Sequence, residues 1–261
     1  MFPLYRPTHL YIQSCLVFML RFITNEPALV FNKTLVVADL HIGIEHELYK
    51  SGIKVPTQIE KLRSKIDSLV KQTKTKRIIF LGDIKHQVPG VSFQELREVP
   101  EFFNYFSNKI ETHIVLGNHD SEIGALVENV KIHDTPGFKL EDVYIAHGHA
   151  NIKKEFLKCK YLILSHTHPL IEIRDKLGYR FVQLVWVRAV FDKKKVQKKY
   201  GKVSSMPEII LMPAFNPLSG GVAINSKEKD AFTGPLTKLI NKKQAEVFFL
   251  DGTCLGKLKD L

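Results

Sequence analysis

The first part of the chain alternates short, β-rich apolar runs with segments of helical periodicity. Apolar runs of this length, bounded by polar residues, predict buried strands. A first helix is predicted to begin at a capping box formed by Thr57 and Glu60, and a second at Ser92 and Glu95. We expect Pro100 to break or kink the second helix, because proline lacks an amide hydrogen. Five predicted strands run directly into polar residues, and they cover residues 34–38, 77–81, 113–116, 143–146 and 161–164.

The second part of the chain is predicted to be rich in strands, at residues 171–174, 180–182, 185–191, 208–212 and 246–250. Between two of these runs, residues 192–202 contain six lysines, and we interpret this segment as an exposed basic loop or hairpin tip. Strands that alternate with helices predict an α/β layered fold. Because the carboxyl ends of parallel strands face one crevice, the polar residues after the five strands are expected to meet there.

The N-terminal region contains an apolar run at residues 10–23, which Gln13, Ser14 and Arg21 interrupt. This run is too short and too broken to span a bilayer, so we predict a β-strand and no membrane partner. Residues 1–18 are interpreted as a possible N-terminal extension, with Met19 as an alternative start. No Pro/Gly/Ser linker forces a boundary after that point, and residues 19–261 are predicted to form a single domain.

Composition adds two constraints. The net charge of +11, from 38 Lys+Arg against 27 Asp+Glu, fits a polyanionic partner such as nucleic acid, or else a lysine-rich surface that is only solvated. The three cysteines, Cys15, Cys159 and Cys254, lie far apart and form no CxxC pair. This pattern favours the reducing cytoplasm and disfavours a cysteine-based zinc site.

The polar residues after the strands include seven candidate metal ligands: Asp39, His41, Asp83, Asn118, His147, His166 and His168. Seven nitrogen and oxygen donors without sulfur are too many for one tetrahedral zinc ion, and they suit two divalent metal ions. Manganese is the metal that we expect, with iron, zinc, nickel or magnesium as alternatives. Two metals about 3.5–4 Å apart can activate water and stabilise an in-line displacement at phosphorus, and a nearby histidine can protonate the leaving oxygen.

These residues lie in five short motifs, which are Asp39-Leu-His41, Gly82-Asp83, Gly117-Asn118-His119-Asp120, His147-Gly148-His149 and His166-Thr167-His168. In type and order the motifs resemble those of the calcineurin-like metallophosphoesterase superfamily. The resemblance implies a four-layer α/β/β/α sandwich, in which two mixed β-sheets are flanked by helices. It also implies that Asp39, His41 and His168 hold one metal, that Asn118, His147 and His166 hold the other, and that Asp83 bridges them. His119 would protonate the leaving oxygen, and Asp120 would orient His119.

Further segments resemble the narrower ICC-like phosphoesterase branch of archaea and bacteria, namely residues 39–45, 82–86, 185–188 and 213–221. One departure from the superfamily is Ser165, where a glycine is common before the HxH motif. His86, His149 and Arg188 are further candidates for contact with the substrate. Lys85 is another, although each of these side chains has an ordinary structural or solvent-exposed alternative.

Three functions remain open at this point. The first is a metal-dependent phosphodiesterase or nuclease acting on nucleic acid, which the site and the net charge favour. The second is a phosphoesterase for a small nucleotide or another small phosphoester. The third is a non-catalytic nucleic-acid-binding subunit, which the intact Asp83 and His119 disfavour.

Overall fold

The computed structural model describes residues 20–226, 231–232 and 234–261. Two mixed sheets pack face to face, with helices on their outer sides, so the predicted four-layer α/β/β/α sandwich is confirmed. Sheet 1 has the order β1-β2-β3-β4-β5-β6, and β3 to β6 are parallel. Its strands are β1 (Arg21–Phe22), β2 (Ala28–Phe31), β3 (Thr34–Ala38), β4 (Arg77–Leu81), β5 (Glu111–Val115) and β6 (Lys131–His133).

Sheet 2 has the order β13-β10-β11-β12-β9-β8-β7, and β14 and β15 extend from β11. The strands β8, β9 and β12 are parallel neighbours. Strand β11 runs antiparallel to each of its partners β10, β12 and β14. Its strands are β7 (Phe138–Leu140), β8 (Val143–Ala146), β9 (Tyr161–Leu164), β10 (Pro169–Arg174), β11 (Arg180–Ala189), β12 (Glu208–Leu211), β13 (Val222–Ala223), β14 (Glu246–Phe249) and β15 (Cys254–Lys257).

Three apolar cores separate the four layers. In β3 the side chains alternate: Leu35 and Val37 pack towards the helices, whereas Val36 and Ala38 pack towards the other sheet. This period of two is the geometry of a pleated strand that is buried on both faces. The four α-helices of the described residues are α1 (Ile44–Lys50), α2 (Ile59–Thr73) and α3 (Phe93–Ser107) on the side of sheet 1, and α4 (Lys193–Tyr200) on sheet 2.

The structure corrects the prediction of a basic loop at residues 192–202, because most of this segment is helix α4. The side chain of Asp192 caps α4 by accepting hydrogen bonds from the amides of Lys194 and Lys195. Val196 is fully buried against sheet 2. Repulsion among the lysines made a loop the simpler interpretation, but the cap and the burial of Val196 stabilise the helix.

Two details of the other helices also differ from the prediction. Helix α2 begins one residue later than the capping box required: its N-cap is Gln58, and Thr57 Oγ1 instead accepts from the amide of Ile59. Helix α3 has the predicted capping box at Ser92 and Glu95, and it continues through Pro100, which excludes the predicted break. The aromatic side chains that follow Pro100 are buried against sheet 1, and their packing outweighs the missing hydrogen bond.

The N-terminal predictions fall mostly on residues 1–19, outside the described residues. Of the predicted strand at 10–23, residues 20–23 are described, and they contain β1. Among the helices that the structure describes, none is both long and apolar enough to cross a bilayer.

Candidate metal centre

Seven polar side chains from the two sheets meet at the carboxyl ends of the strands. Sheet 1 contributes Asp39 and His41 after β3, Asp83 after β4 and Asn118 after β5, and sheet 2 contributes His147 after β8 and His166 and His168 after β9. Contacts across the two sheets join them. Asp39 Oδ1 lies 3.3 Å from His168 Nε2 and 3.6 Å from His147 Nδ1. The structure therefore brings together the seven residues that the sequence selected.

The donor atoms form two overlapping groups, each compact enough to surround one ion. The first contains Asp39, His41, Asp83 and His168, and the second contains Asp83, His147 and His166, with donor atoms within 4.8 Å of one another in each group. Asp83 belongs to both groups. Its Oδ1 accepts the amide of His119 at 3.0 Å, and its Oδ2 faces His41 Nε2 at 3.8 Å and His147 Nε2 at 3.3 Å.

Asn118 completes the second group from the side of sheet 1. Its Oδ1 lies 3.3 Å from His147 Nε2, so an amide oxygen points at the place that His147 and Asp83 share. Oxygen and imidazole nitrogen are the donors that borderline divalent metals prefer.

Several of these donor atoms have no hydrogen-bond partner among the described residues, although they are buried. They are both carboxylate oxygens of Asp39, Nε2 of His41 and Nε2 of His168. A buried carboxylate without a partner costs several kcal/mol, and such a group in a protein is normally paired or bound to a metal. The donor set therefore fits divalent metal ions.

Five of the candidate ligands have a left-handed backbone conformation. The φ angles of Asp39, His41, Asp83, His166 and His168 are all positive, between 43° and 67°. Asp and His tolerate this left-handed region better than most residues, but each case still costs about 1–3 kcal/mol. Each of these residues lies in a turn just past a strand, and the left-handed turn directs its side chain into the crevice.

Gly82 allows β4 and the loop of His147 to approach each other. Its φ is +71°, and a Cβ at this position would lie 2.1 Å from His147 Nδ1. A side chain at residue 82 would displace the imidazole ring, so only glycine fits at this position of the Gly82-Asp83 motif.

Charges within the cluster shift its pKa values in opposite directions. Burial lowers the pKa of His41 to about 3 and, together with the charge on His147, that of His166 to about 4. Burial also opposes a charge on His147, but the carboxylates of Asp83 and Asp39 raise its pKa to about 9. For Asp83, burial would raise the pKa, yet His147 and His41 hold it below its ordinary value. The centre thus keeps its carboxylate ionised and at least two imidazoles neutral, which are the forms that bind metal.

His119 lies at the edge of the cluster with a partly exposed side chain. Its Nδ1 is 2.6 Å from the carbonyl oxygen of His86, and a carbonyl can only accept, so Nδ1 donates there. Its Nε2 faces the crevice, 4.0 Å from Asp83 Oδ2.

Asp120 does not orient His119, and this part of the prediction is wrong. Asp120 Oδ1 accepts from the amides of Ile84 and Lys85, and its Oδ2 accepts from the amide of Gly117. Its carboxylate therefore joins the turns after β4 and β5, and among the described residues it forms no hydrogen bond with the His119 ring. Burial and the nearby Asp83 raise the pKa of Asp120 to about 6.

Two buried side chains hold the loop that contains His86. Glu95 Oε1 accepts from the amides of His86 and Gln87, at 2.7 Å each. The ammonium of Lys85 is fully buried and donates to the carbonyls of Gln87 and Gly90, so it is not directed at the crevice. The side chain of His86 reaches the centre itself, with its Nδ1 3.2 Å from His41 Nδ1, and it forms a third donor group with His41 and His119.

Ser165, the departure from the superfamily pattern, contacts His147. The hydroxyl is fully buried and donates to the carbonyl of Leu81 at 3.0 Å. With its one proton used there, Ser165 Oγ must accept from His147 Nδ1, which is 2.8 Å away. This bond fixes Nδ1 as the protonated nitrogen and turns Nε2 towards Asp83 and Asn118.

Of the other candidates for substrate contact, His149 lies beside the cluster and Arg188 does not. The ring of His149 is 5.1 Å from that of His147, and burial together with His147 lowers its pKa to about 4. Arg188 lies in β11, where its guanidinium pairs with Glu208 at 2.6 Å. Glu208 begins β12, so this pair lies towards the end of sheet 2 that is opposite the metal centre.

The chain is similar to a known protein family and to solved structures. The family model for calcineurin-like phosphoesterases matches residues 33–200, well over half of the chain. The solved structure of the nuclease MPE from Pseudomonas putida superposes with a TM-score of 0.53 at 18% identity, over 86% of this chain and 89% of that chain. The phosphoesterase Yfce from E. coli gives a TM-score of 0.39 at 17% identity, over 86% of this chain and 97% of that chain.

No curated protein sequence matches the chain significantly. The match to the family model covers the strands and turns that supply all seven donor residues. The chain therefore belongs to the calcineurin-like phosphoesterase family and is a metal-dependent hydrolase of phosphoesters.

Proposed function

We propose that this protein is a two-metal phosphodiesterase that acts on nucleic acid, with manganese as its preferred metal. The observation that carries the proposal is the position of Asp83, whose Oδ2 faces both donor groups of the centre. A carboxylate shared in this way suits a pair of ions held side by side. In this arrangement Asp39, His41 and His168 would hold one metal, Asn118, His147 and His166 the other, and Asp83 both.

Two bound metals would supply Lewis acidity, activating water and offsetting the negative charge that develops on the phosphoryl oxygens. The protein's own contribution is orientation. Ser165 sets the tautomer of His147, and the amide of His119 holds Asp83 Oδ1, so that Oδ2 stays directed at both groups. These bonds exist before any substrate arrives and therefore require no rearrangement during the reaction.

We infer that His119 acts as the general acid. The His86 carbonyl accepts the Nδ1 proton of His119, and Nε2 faces the crevice beside Asp83. A proton on Nε2 would therefore point at a leaving oxygen bound over the centre. Glu95 supports this geometry indirectly, because it fixes the backbone of His86 and with it the carbonyl that orients His119.

Two observations favour nucleic acid as the substrate: the net charge of +11, and the identity of the structurally similar Pseudomonas putida protein as a nuclease. The prediction of a cytoplasmic location, made from the three scattered cysteines, stays a prediction.

The test is a substrate panel with metal-loaded protein. It should include bis-p-nitrophenyl phosphate, p-nitrophenyl phosphate, and single- and double-stranded DNA and RNA. We expect hydrolysis of the diesters and of at least one nucleic acid, and two metals per chain by elemental analysis. Survival of every nucleic acid while small diesters are cleaved would assign the enzyme to small phosphoesters. Fewer than one bound metal per chain after loading would contradict the two-metal centre.

Asp83→Asn tests the shared ligand. Metal charge stabilisation is worth several kcal/mol, so we expect a loss of roughly 100-fold or more in diester hydrolysis, together with a lower metal content. Asp142→Asn is the matched control, since Asp142 is an exposed carboxylate just before β8, at the end of that strand opposite His147. Unchanged activity in Asp83→Asn would mean that the mechanism is wrong.

A further inference from the structure

The net positive charge of this protein comes from a small part of the chain. Residues 151–160, 192–202 and 236–245 contain thirteen of the 38 Lys+Arg residues and only two of the 27 Asp+Glu residues. The other 25 basic and 25 acidic residues balance, so these three segments account for the whole net charge of +11. A lysine-rich composition spread over the surface would not leave the rest of the chain neutral.

The three segments are neighbours in the fold, and we call them together the basic surface. Lys199 Nζ donates to Asn151 Oδ1 at 2.6 Å, which joins α4 to the first segment. Lys195 Nζ donates to the carbonyl of Lys238 at 2.9 Å, which joins α4 to the third. Beneath α4, the rings of Tyr200 and Phe156 pack with their centroids 5.4 Å apart. Helix α4 is therefore the centre of the basic surface, and the other two segments flank it.

The lysines of the basic surface are directed into solvent, and those of α4 have no carboxylate partner among the described residues. All thirteen are exposed. The six from Lys193 to Lys202 form no ion pair with any carboxylate in the part of the chain that the structure describes. Elsewhere, basic residues such as Lys65, Lys71 and Lys131 do pair with carboxylates. Uncompensated like charges destabilise a fold slightly, which is expected where a surface serves an anionic partner.

The basic surface adjoins the metal centre through the loop that follows β8. This loop carries His147 and His149 and continues to Asn151, the residue that Lys199 contacts. Gly234, just before the third segment, packs directly against the same loop: a Cβ at Gly234 would lie 2.5 Å from the carbonyl oxygen of Gly148. The first segment thus continues directly from the loop that holds a candidate metal ligand, and the chain just before the third segment packs against that loop.

We propose that the basic surface binds the sugar-phosphate backbone of a nucleic acid strand and holds it where it passes the loop of His147. This inference rests on the proposed function, and it names the part of the protein that would make the enzyme act on polymers. Lysines on a helix bind phosphates as mobile point charges, so the surface would select for a polyanion and not for a base sequence. Eight residues of helix span about 12 Å, the axial rise of roughly three to four nucleotides in a duplex strand.

The composition of α4 favours nucleic acid over a membrane as the partner. Helices that bind at a lipid surface present an apolar face that inserts among the acyl chains. In α4 the apolar side chains are directed inwards: Val196 is fully buried, and Tyr200 is half-buried against Phe156. The outer face contains lysines and Gln197 alone, which is suited to phosphates in water.

The test compares two triple variants that lower the net charge equally. The first is Lys193→Gln with Lys194→Gln and Lys198→Gln; it spares Lys195 and Lys199, which hold α4 in place. Glutamine and lysine have similar helix propensity, so α4 should persist. The matched control is Lys33→Gln with Lys74→Gln and Lys76→Gln. These exposed lysines lie at the amino ends of β3 and β4, at the end of sheet 1 opposite the metal centre.

Binding is measured by fluorescence anisotropy of metal-loaded protein with a labelled single strand of about 20 nucleotides, longer than a binding site of roughly 4–16. Phosphorothioate linkages slow cleavage, so that binding is read separately from hydrolysis. The first variant is expected to bind roughly tenfold or more weakly near 0.1 M salt. Its slope of log K against log salt should fall by about 2 for a single strand and by about 3 for a duplex. The control variant should match the wild type, and thermal melting should show that both variants fold.

The outcomes separate this inference from the proposed function. Salt-dependent binding that the first variant alone weakens supports the basic surface, even if no substrate in the panel is hydrolysed. Equal binding by the wild type and the first variant overturns it, even if the enzyme cleaves nucleic acid, because the strand must then contact another surface. Equal weakening by both triple variants also overturns it, since only total charge would matter. Binding to phosphatidylserine vesicles without binding to oligonucleotides would assign the surface to a membrane.

Discussion

Replacing Ser165 by alanine removes a buried hydroxyl that forms two hydrogen bonds at the metal centre. In the wild type this hydroxyl donates to the Leu81 carbonyl at 3.0 Å and accepts from His147 Nδ1 at 2.8 Å. Alanine fills nearly the same space, so the change deletes two hydrogen bonds and leaves a buried N–H of His147 without this acceptor. Each net hydrogen bond contributes about 1 kcal/mol, and a buried unpaired donor costs about 1–3 kcal/mol. We therefore expect the metal-free protein to lose about 2–3 kcal/mol of stability.

The effect on metal binding is the sharper consequence. Without the bond from Ser165, the ring of His147 can rotate or change tautomer, for example towards Asp39 Oδ1, which is 3.6 Å from its Nδ1. Loss of such an orienting partner typically lowers metal affinity 10–100-fold, or about 1.4–2.8 kcal/mol. We expect a loss of this size in one of the two metal sites, because His147 belongs to only one of the two donor groups.

Chelator competition titrations with Mn²⁺ measure the affinity, and urea unfolding of the metal-free protein measures the stability. Ser204→Ala is the control, since Ser204 is an exposed serine in the loop between α4 and β12. If Ser165→Ala bound both metals with the affinity of the wild type, the argument that Ser165 sets the tautomer of His147 would be refuted. Loss of stability without loss of affinity would reduce Ser165 to a packing role.

Three further predictions concern other parts of the structure. Gly82→Ala should abolish metal binding at the second donor group, because its Cβ would lie 2.1 Å from His147 Nδ1; elemental analysis should find one metal per chain. Asp120→Ala should lower stability by roughly 3 kcal/mol or more, because it leaves buried backbone amides without an acceptor; urea unfolding measures this loss. Stability should also fall in acid: burial lowers the pKa of His133 from 6.5 to about 4, and ion pairs lower that of Glu111 from 4.5 to about 2. Both folded pKa values are depressed, so the His133 contribution is complete above pH 6.5 and is lost towards pH 4, and the Glu111 contribution is lost between pH 4.5 and 2. Urea midpoints should fall over that range. The fall between pH 6.5 and 4 should be smaller in His133→Phe, but it should persist because the pKa values of His149 and His166 are depressed in the same way.

The positions of the candidate ligands could be predicted from the sequence because they depend on strands with strong local signals. An apolar run such as residues 77–81 specifies a buried strand, and the residue that follows it must lie at the carboxyl edge of the sheet. Asp83 and His147 were selected on that basis, and the structure places them 3.3 Å apart although 64 residues separate them. The packing of the two sheets brings the ends of β4 and β8 together.

The supporting contacts could not be predicted, because they depend on details of tertiary packing. Asp120 lies next to His119 in sequence, yet its carboxylate is bound by amides from a different turn, about 35 residues away. Ser165 looked like a minor replacement of glycine, and only the packing of β9 against β4 reveals that its hydroxyl reaches both Leu81 and His147. Helix α4 could not be predicted for a related reason, since repulsion within a run of lysines favours an exposed loop and the burial of Val196 is a tertiary effect.

The strain at the centre has a consequence for how the site assembles. Five candidate ligands have positive φ angles, and a backbone held in that region persists only where neighbouring bonds fix it. Those bonds are supplied by the protein: Asn216 Nδ2 donates to the Leu40 carbonyl beside Asp39, and the amide of Asp39 donates to the carbonyl of Gly82. The turns after β3 and β4 are thereby tied to each other and to the loop after β12. Because these contacts involve no metal, the crevice should already have its shape in the metal-free chain, and metal binding should coordinate the Asp39 oxygens, which accept no hydrogen bond from the described residues, without refolding the strands around them.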